Sequence, residues 1–446
     1  MGFRESKNFS LSTIASEIQD FWSKNDVFTR SYNREDSPDF IFYEGPPSAN
    51  GKPGIHHVMA RTIKDAFCRY KTLKGYNVKR KAGWDTHGLP VELGVEKELG
   101  ISKDDIGDKI SISEYNKACK KAVMKYTSDW ELLTQSMGYW IDLSDPYVTY
   151  KSKYMETVWW LIKNIFEKNL LYKGYTVQPY SPAAGSGLSS HELNQPGAYK
   201  EISDTSVIAQ FKCIKDNKSD KFGGMFPFYF LAWTTTPWTL PSNTALTLGG
   251  KIEYSFVKTF NQYTKEKITV VLAASLIKKV FSKNFFIVED ENKLDMFKES
   301  DSKIPYYIIS SFKGVDFENL KYERIWDEAP LPIENPENAF RVILGDFVTI
   351  EDGTGIVHTA PTFGADDYKA AKSAKPEIPP LLVLDKSGNK VPLVDLKGKF
   401  IDNIGMISGK YVKNEYYKED KIPEKSVDVE IAIKLKEKNL AFKVER

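Results

Sequence analysis

The residues best placed to do chemistry in this chain of 446 residues form two groups far apart in sequence. The first group is Gly45-Pro46-Pro47-Ser48-Ala49-Asn50-Gly51 with Gly54-Ile55-His56-His57, followed by Gly83-Trp84-Asp85-Thr86-His87-Gly88-Leu89-Pro90. A glycine-rich loop ahead of a helix offers unpaired N–H groups and the positive end of the helix dipole, which suits a phosphate. Gly45, Gly51 and Gly54 let backbone approach a ligand without a side chain in the way. His57, in the first helical turn, can donate to charge developing in a phosphoryl displacement, or can simply cap the helix. Asp85, after a tight turn, is a partner for an ammonium group or a cap for the next helix, and Trp84 offers apolar surface.

The second group begins with Trp233-Thr234-Thr235-Thr236-Pro237-Trp238 and continues at Gly353-Thr354-Gly355-Ile356-Val357-His358 and Asp366-Asp367. Three consecutive hydroxyls can serve a carbonyl, a ribose hydroxyl or a bound water, although threonine runs are also ordinary strand composition. No general base is evident beside them. Asp367, following Gly364, is suited to holding an α-ammonium, with Asp366 as the neighbouring alternative.

The elements that must position these residues follow from periodicity. Residues 10–32 read as an amphipathic helix. Phe40–Tyr43 and Val78–Ala82 read as strands, and Met59, Ile63, Phe67, Tyr70 and Leu73 recur at helical spacing between them. Strand, loop, helix, strand is the start of a nucleotide-binding α/β fold. After about Ser186 the pattern turns to short strands at Ser206–Phe211, Phe226–Trp233, Ile268–Leu272, Tyr306–Ser310 and Phe347–Ile350. A hairpin is expected around Ser387-Gly388-Asn389. Val427–Lys438 reads as a helix again. Glu167-Lys168-Asn169-Leu170 is matched by Glu437-Lys438-Asn439-Leu440, two helix ends that could flank an inserted domain. The expected fold is therefore an incomplete Rossmann-type α/β domain (1–190), an inserted β-rich, β-barrel-like domain (191–420) and a return segment (421–446).

Composition sets the bounds. With 41% hydrophobic and 27% charged residues and no long apolar run, the chain reads as globular, with no membrane partner expected. The first seven residues lack a secretory core, so cytoplasm is expected. Cys68, Cys119 and Cys213 are too dispersed for a disulfide framework or thiolate cluster. A net charge of +2 excludes a strongly basic nucleic-acid clamp and leaves only local patches such as Lys79-Arg80-Lys81 and Lys120-Lys121.

The motifs of the first group resemble the ATP signature of the Rossmann-type (class I) aminoacyl-tRNA synthetases. Gly83–Glu92 is similar to the isoleucyl-tRNA synthetases among them. The resemblance spans essentially the whole chain. It implies ATP with Mg2+, isoleucine and tRNA(Ile) as substrates, with Asp85 on the α-ammonium and Gly45 and Pro46 lining the amino-acid pocket. It also implies an editing pocket for valine built from Thr234, Thr235, Thr236, Thr239, Asn243, His358 and Asp367, with His358 obstructing isoleucine. Two departures stand out. The family's His-x-Gly-His is Gly54-Ile55-His56-His57 here, so only His57 carries over, and His56 is expected to take part of the phosphate contact. Where relatives carry a Cys-bearing zinc knuckle, Ser181-Pro182-Ala183-Ala184 stands, so no zinc is expected.

No lysine-rich mobile loop or anticodon-reading region has a candidate segment. An N-terminal portion of a larger, monomeric enzyme is expected, able to hydrolyse mischarged tRNA but not to form it. The alternatives are a valyl- or leucyl-tRNA ligase fragment, a free-standing deacylase, and a non-catalytic tRNA-binding module.

Overall fold

The computed structural model describes residues 10–32 and 36–446. The N-terminal seven residues, read above as lacking a secretory core, lie outside them. The chain divides into two compact units, Met1–Gly174 and Tyr175–Arg446.

In the first unit, α1 (Leu11–Lys24) and α2 (Val27–Tyr32) replace the single helix expected over residues 10–32. Three parallel strands follow in the order β1 (Asp39–Tyr43), β2 (Asn77–Trp84) and β3 (Asp142–Val148). The crossover from β1 to β2 is α3 (Ile55–Leu73). That from β2 to β3 contains α4 (Leu89–Leu99), α5 (Ile112–Val123) and α6 (Thr127–Ser136). The last helix of the unit is α7 (Ser152–Glu167). The apolar stripe that identified α3 is exposed along its length, while Arg61, Cys68 and Thr72 face inward. Its period was legible, but not the face that packs. Gly83 must be glycine because a Cβ there would lie 2.4 Å from the Tyr147 ring.

The second unit opens with a small hairpin, β4 (Tyr180–Ser181) and β5 (Ser186–Gly187), and the short α8 (Ser190–Leu193). A ten-stranded sheet then gathers β6 (Ser206–Lys212), β7 (Phe228–Thr234), β8 (Ala245–Leu248), β9 (Glu253–Phe260) and β10 (Lys267–Ala273). After the single-turn α9 (Ile277–Val280) it adds β11 (Phe285–Ile287), β12 (Ile304–Lys313), β13 (Arg341–Leu344) and β14 (Ile356–Thr359), and the chain's last strand supplies the tenth. The helix α10 (Ala365–Ser373) and the hairpin β15 (Val383–Leu384) with β16 (Lys390–Val391) come next. The helix α11 (Val427–Glu437) and β17 (Ala441–Glu445) close the chain. The strand expected at Phe347–Ile350 is a turn, and the strand lies just ahead of it at β13.

Along one edge β7 pairs with β6. Its other edge is shared, with β10 beside Phe228–Phe230 and β14 beside Trp233. Beyond β14 come β8 and β13. The single bridges Lys321↔Arg341 and Cys213↔Tyr322 then lead back to the end of β6, so this part of the sheet closes into a barrel. Its interior is the main core, with Phe211, Phe230, Leu246, Phe256 and Val342 all fully buried.

The domain limits differ from those expected. The division falls at 174/175 rather than near 190. Residues 421–446, expected as a return toward the first domain, belong to the second unit, because β17 pairs with β6 and extends its sheet. Both matched helix ends stop on a left-handed asparagine, Asn169 (φ 57°) and Asn439 (φ 56°). Each passes the next N–H back to a carbonyl five residues earlier, Leu170 to Ile165 and Leu440 to Leu435. Only the second is followed by a strand.

Candidate functional sites

In the first unit the loops after β1 and β2 meet at the carboxyl ends of the parallel strands, where α/β sheets bind ligands. The Asp85 N–H donates to the Pro47 carbonyl at 3.0 Å, joining the two motifs of the first group. The Asp85 carboxylate is half-buried and, among the described residues, accepts a long bond from the His87 N–H (3.3 Å), which leaves capacity for a cation. His57 Nδ1 accepts from the Gly54 N–H at 2.9 Å, so the neutral ring carries its proton on Nε2. Burial, then His56 and Arg61, lower the His57 pKa and keep it neutral. A neutral N–H donor at the start of α3 suits an incoming anion. His56 is exposed and lies against His57, ring centroids 3.8 Å apart, so it stands beside the same position. Gly54 makes room for it, since a Cβ would come within 2.9 Å of the His56 ring. Gly45 is exposed and receives Lys64 on its carbonyl at 3.1 Å, and Pro46 is half-buried beside it.

Trp84 departs from expectation. Only 4% exposed, it packs with Ala49, Trp130 and Val148 and supports the loop from beneath instead of presenting apolar surface to a ligand. Sequence reasoning also missed two supports. Trp130 sets its ring edge against His57 (4.6 Å) and donates Nε1–H to the Gly51 carbonyl at 2.9 Å. Glu44, 3% exposed, holds Lys64 and the Tyr139 hydroxyl. The basic patch at 79–81 is not free. Arg80 is buried, and Lys79 and Lys81 pair with Asp39 and Asp145.

In the second unit a cavity of about 770 Å3 opens where β7 ends beside β14. Its wall includes Thr234, Thr235, Thr236, Thr239, His358 and Asp367, with Trp238 and Phe363 as apolar surface. Two glycines allow this approach. Gly353 (φ 75°) lies against Trp233, and a Cβ on Gly355 (φ 73°) would sit 2.5 Å from the Ala273 Cβ. The turn Pro237–Ser242 carries Thr239 under the threonine run, and its hydroxyl donates to the Thr236 carbonyl at 2.8 Å. His358 is buried on the cavity wall, and burial lowers its pKa to about 4, so the ring is neutral. Asn243 does not line the cavity; it stands behind His358, 2.9 Å from Nδ1. Asp367, in the first turn of α10, accepts from the Ala360 N–H at 2.9 Å, and burial raises its pKa. Asp366 is exposed and pairs with Lys369.

Hydroxyls, a neutral imidazole and a half-buried carboxylate around one apolar-floored hollow can bind a small cationic amine and order a water beside it. They do not include a free base. Two features of this site were not read from sequence. Tyr322 donates to Asn243 Oδ1 at 2.6 Å, and Asp428, on α11, accepts from the Trp238 N–H at 2.8 Å. A lone Tyr and a helix-start Asp carry no local signal of such distant partners.

Residues 17–438 match the family of class I tRNA synthetases (I, L, M and V), and the chain belongs to that family. Within the group its similarity is to isoleucine–tRNA ligases. It is 54% identical to that of Bacteroides fragilis strain YCH46, over 100% of this chain and 39% of the relative. It is likewise 54% identical to that of Cytophaga hutchinsonii (100% and 40%) and 41% identical to that of Clostridium tetani (98% and 36%). The chain thus spans about two fifths of the length of these relatives. Among solved structures it resembles GlLeuRS-CP1, with 12% identity and a TM-score of 0.36, over 54% of this chain and 99% of that one. No helix among the described residues is long and apolar enough to cross a membrane.

Proposed function

We propose that this chain carries the amino-acid-activating half-site and the hydrolytic proofreading site of an isoleucine–tRNA ligase. The first unit is read as the opening half of a Rossmann-type catalytic domain, and the barrel as the editing domain inserted into it. In this reading Asp85 holds the α-ammonium of isoleucine, with Gly45 and Pro46 along the amino-acid pocket. The loop to Gly54, His57 Nε2–H and neighbouring His56 meet the phosphates of ATP, which enters with Mg2+. The protein works in the cytoplasm as a monomer with tRNA(Ile) as its macromolecular partner.

A second site is needed because one methylene changes pocket binding by only ~1–3 kcal/mol, a limit for which isoleucine against valine is itself the standard case. The observation that carries the reading is the cavity at the end of β7, lined with threonine hydroxyls, a neutral His358 and Asp367. Asp367 takes the α-ammonium of valine attached to tRNA, the hydroxyls hold the ester and a water, and His358 closes the space a larger side chain would need. With no protein base at hand, the terminal ribose of the tRNA assists the water.

The test is hydrolysis of tRNA(Ile) charged with valine or with isoleucine by the 446-residue chain. Release of valine well ahead of isoleucine is expected. Equal release of both, or release of neither, overturns the proposal.

A further inference from the structure

Behind the cavity wall a buried chain of hydrogen bonds leads from a tyrosine to the threonine turn. Asn243 Nδ2 lies 2.8 Å from the Ala245 carbonyl oxygen, which can only accept, and its Oδ1 lies 2.6 Å from the Tyr322 hydroxyl, so the two contacts together turn the amide nitrogen toward Ala245. The same nitrogen lies 2.9 Å from His358 Nδ1, which therefore accepts. The ring proton is left on Nε2, 3.0 Å from Thr239 Oγ1. Thr239 sends its own proton to the Thr236 carbonyl, so its oxygen is open to the Nε2–H. At the other end, with the amide nitrogen committed, Asn243 Oδ1 can only accept, and the Tyr322 hydroxyl 2.6 Å away donates to it.

We propose that Tyr322 is a positioning residue for the hydrolytic site, holding His358 through Asn243 as the neutral Nε2–H tautomer, a hydrogen-bond donor on the cavity wall. The inference rests on the hydrolytic reading of that cavity and deepens it. Tyr322 touches no substrate. It is 1% exposed, packs edge-on against Phe211 at 5.4 Å, and sits on the bridge that closes the barrel, so its hydroxyl is fixed in place. Asn243 and Thr239 are also buried, which makes any other arrangement of these protons leave a donor or acceptor unpaired. The consequence for chemistry is definite. His358 has no nitrogen free to take a proton from water, because Nδ1 is occupied and Nε2 already carries one. It acts by shape and by a single N–H.

The experiment is a long-range 1H–15N spectrum of the 446-residue chain with labelled histidine at neutral pH, with His358→Gln assigning the signal. A protonated Nε2 with a bare Nδ1 is expected; a protonated Nδ1, alone or with Nε2, overturns the proposal. Tyr322→Phe keeps the ring packing and removes only the donor. It should show a second tautomer and a roughly tenfold fall in kcat for hydrolysis of valyl-tRNA(Ile), the effect of about one neutral hydrogen bond, with KM little changed. A folded Tyr322→Phe with the wild-type tautomer and kcat overturns the proposal. Should that variant not fold, the wild-type spectrum decides alone. Absence of hydrolysis by the wild-type chain overturns the proofreading reading instead, and the spectra still decide whether Tyr322 sets the tautomer.

Discussion

Replacing Asp428 should separate two roles that a buried carboxylate can play. Its Oδ1 accepts from the Trp238 N–H at 2.8 Å, and its Oδ2 lies 2.8 Å from Lys413 Nζ, which also holds Asp204. The Asp428 side chain is fully buried. Burial raises its pKa, and Lys413 offsets part of that rise. Asp428→Ala strips the acceptor from a backbone N–H under the threonine turn, which costs ~1–3 kcal/mol. Removing one partner of a buried pair costs ~3–5 kcal/mol where the survivor is left alone. Lys413 keeps Asp204 and is partly solvated, so about 2–3 kcal/mol in total is the expectation. For a unit of this size that lowers the thermal midpoint by about 5–10 °C. Asp428→Asn keeps an acceptor for Trp238 and removes a charge that burial already disfavours, so its cost should stay under ~1 kcal/mol. Thermal unfolding by circular dichroism at pH 7 gives the two midpoints, and hydrolysis of valyl-tRNA(Ile) reports the turn. If Asn destabilises as much as Ala, the ion pair rather than the Trp238 acceptor is what matters, and this account fails.

His358 should make stability depend on pH. Its folded pKa of about 4 lies below its ordinary 6.5, so the unfolded chain binds the proton more readily. Stability should therefore fall as pH drops from about 6.5 to about 4, by roughly 3 kcal/mol, and His358→Gln should flatten that slope in urea titrations at stepped pH. Asp367→Asn removes the charge offered to an α-ammonium and should raise KM for valyl-tRNA(Ile) by roughly 10–100-fold; unchanged KM removes Asp367 from that role. Gly83→Ala drives a methyl into the Tyr147 ring and should destabilise the first unit by ~1–3 kcal/mol, seen as faster hydrogen exchange in β1–β3 with the second unit unaffected.

Local signals in the sequence located most of the elements, and the residues of each group singled out there are brought together by the fold. The loop–helix pattern at 45–57 and the asparagine helix stops at 169 and 439 are features a few residues wide, and each reflects one backbone requirement. What failed was anything set by neighbours in space. The stripe at Met59, Ile63 and Phe67 has the right period but faces solvent, and Trp84 is core although its position beside Asp85 suggested a contact surface. Phe347–Ile350 has strand composition, yet the partner β8 pairs with Arg341–Leu344 instead, and the chain turns at Asp346 and Phe347 directly after that strand. Composition also suggested a basic patch at 79–81, which the fold consumes in ion pairs and burial.

The cavity shows why such a site is legible in its parts and not in its supports. A strand edge has one run of hydrogen-bonding groups, and β7 divides its own between β10 and β14. That division places the threonine end of one segment against the histidine of another, 119 residues away from Thr239. The few residues that would orient a ligand are polar or charged, and they stand out against a β-rich background. The residues that hold them need only a single atom at the right place. Tyr322 is 79 residues from Asn243, and Asp428 is 190 from Trp238. Each reads locally as an ordinary core aromatic or helix-start acid. Because burial leaves such groups no water to fall back on, their partners are strictly required, and changing them should affect the site as much as changing the residues that face the cavity.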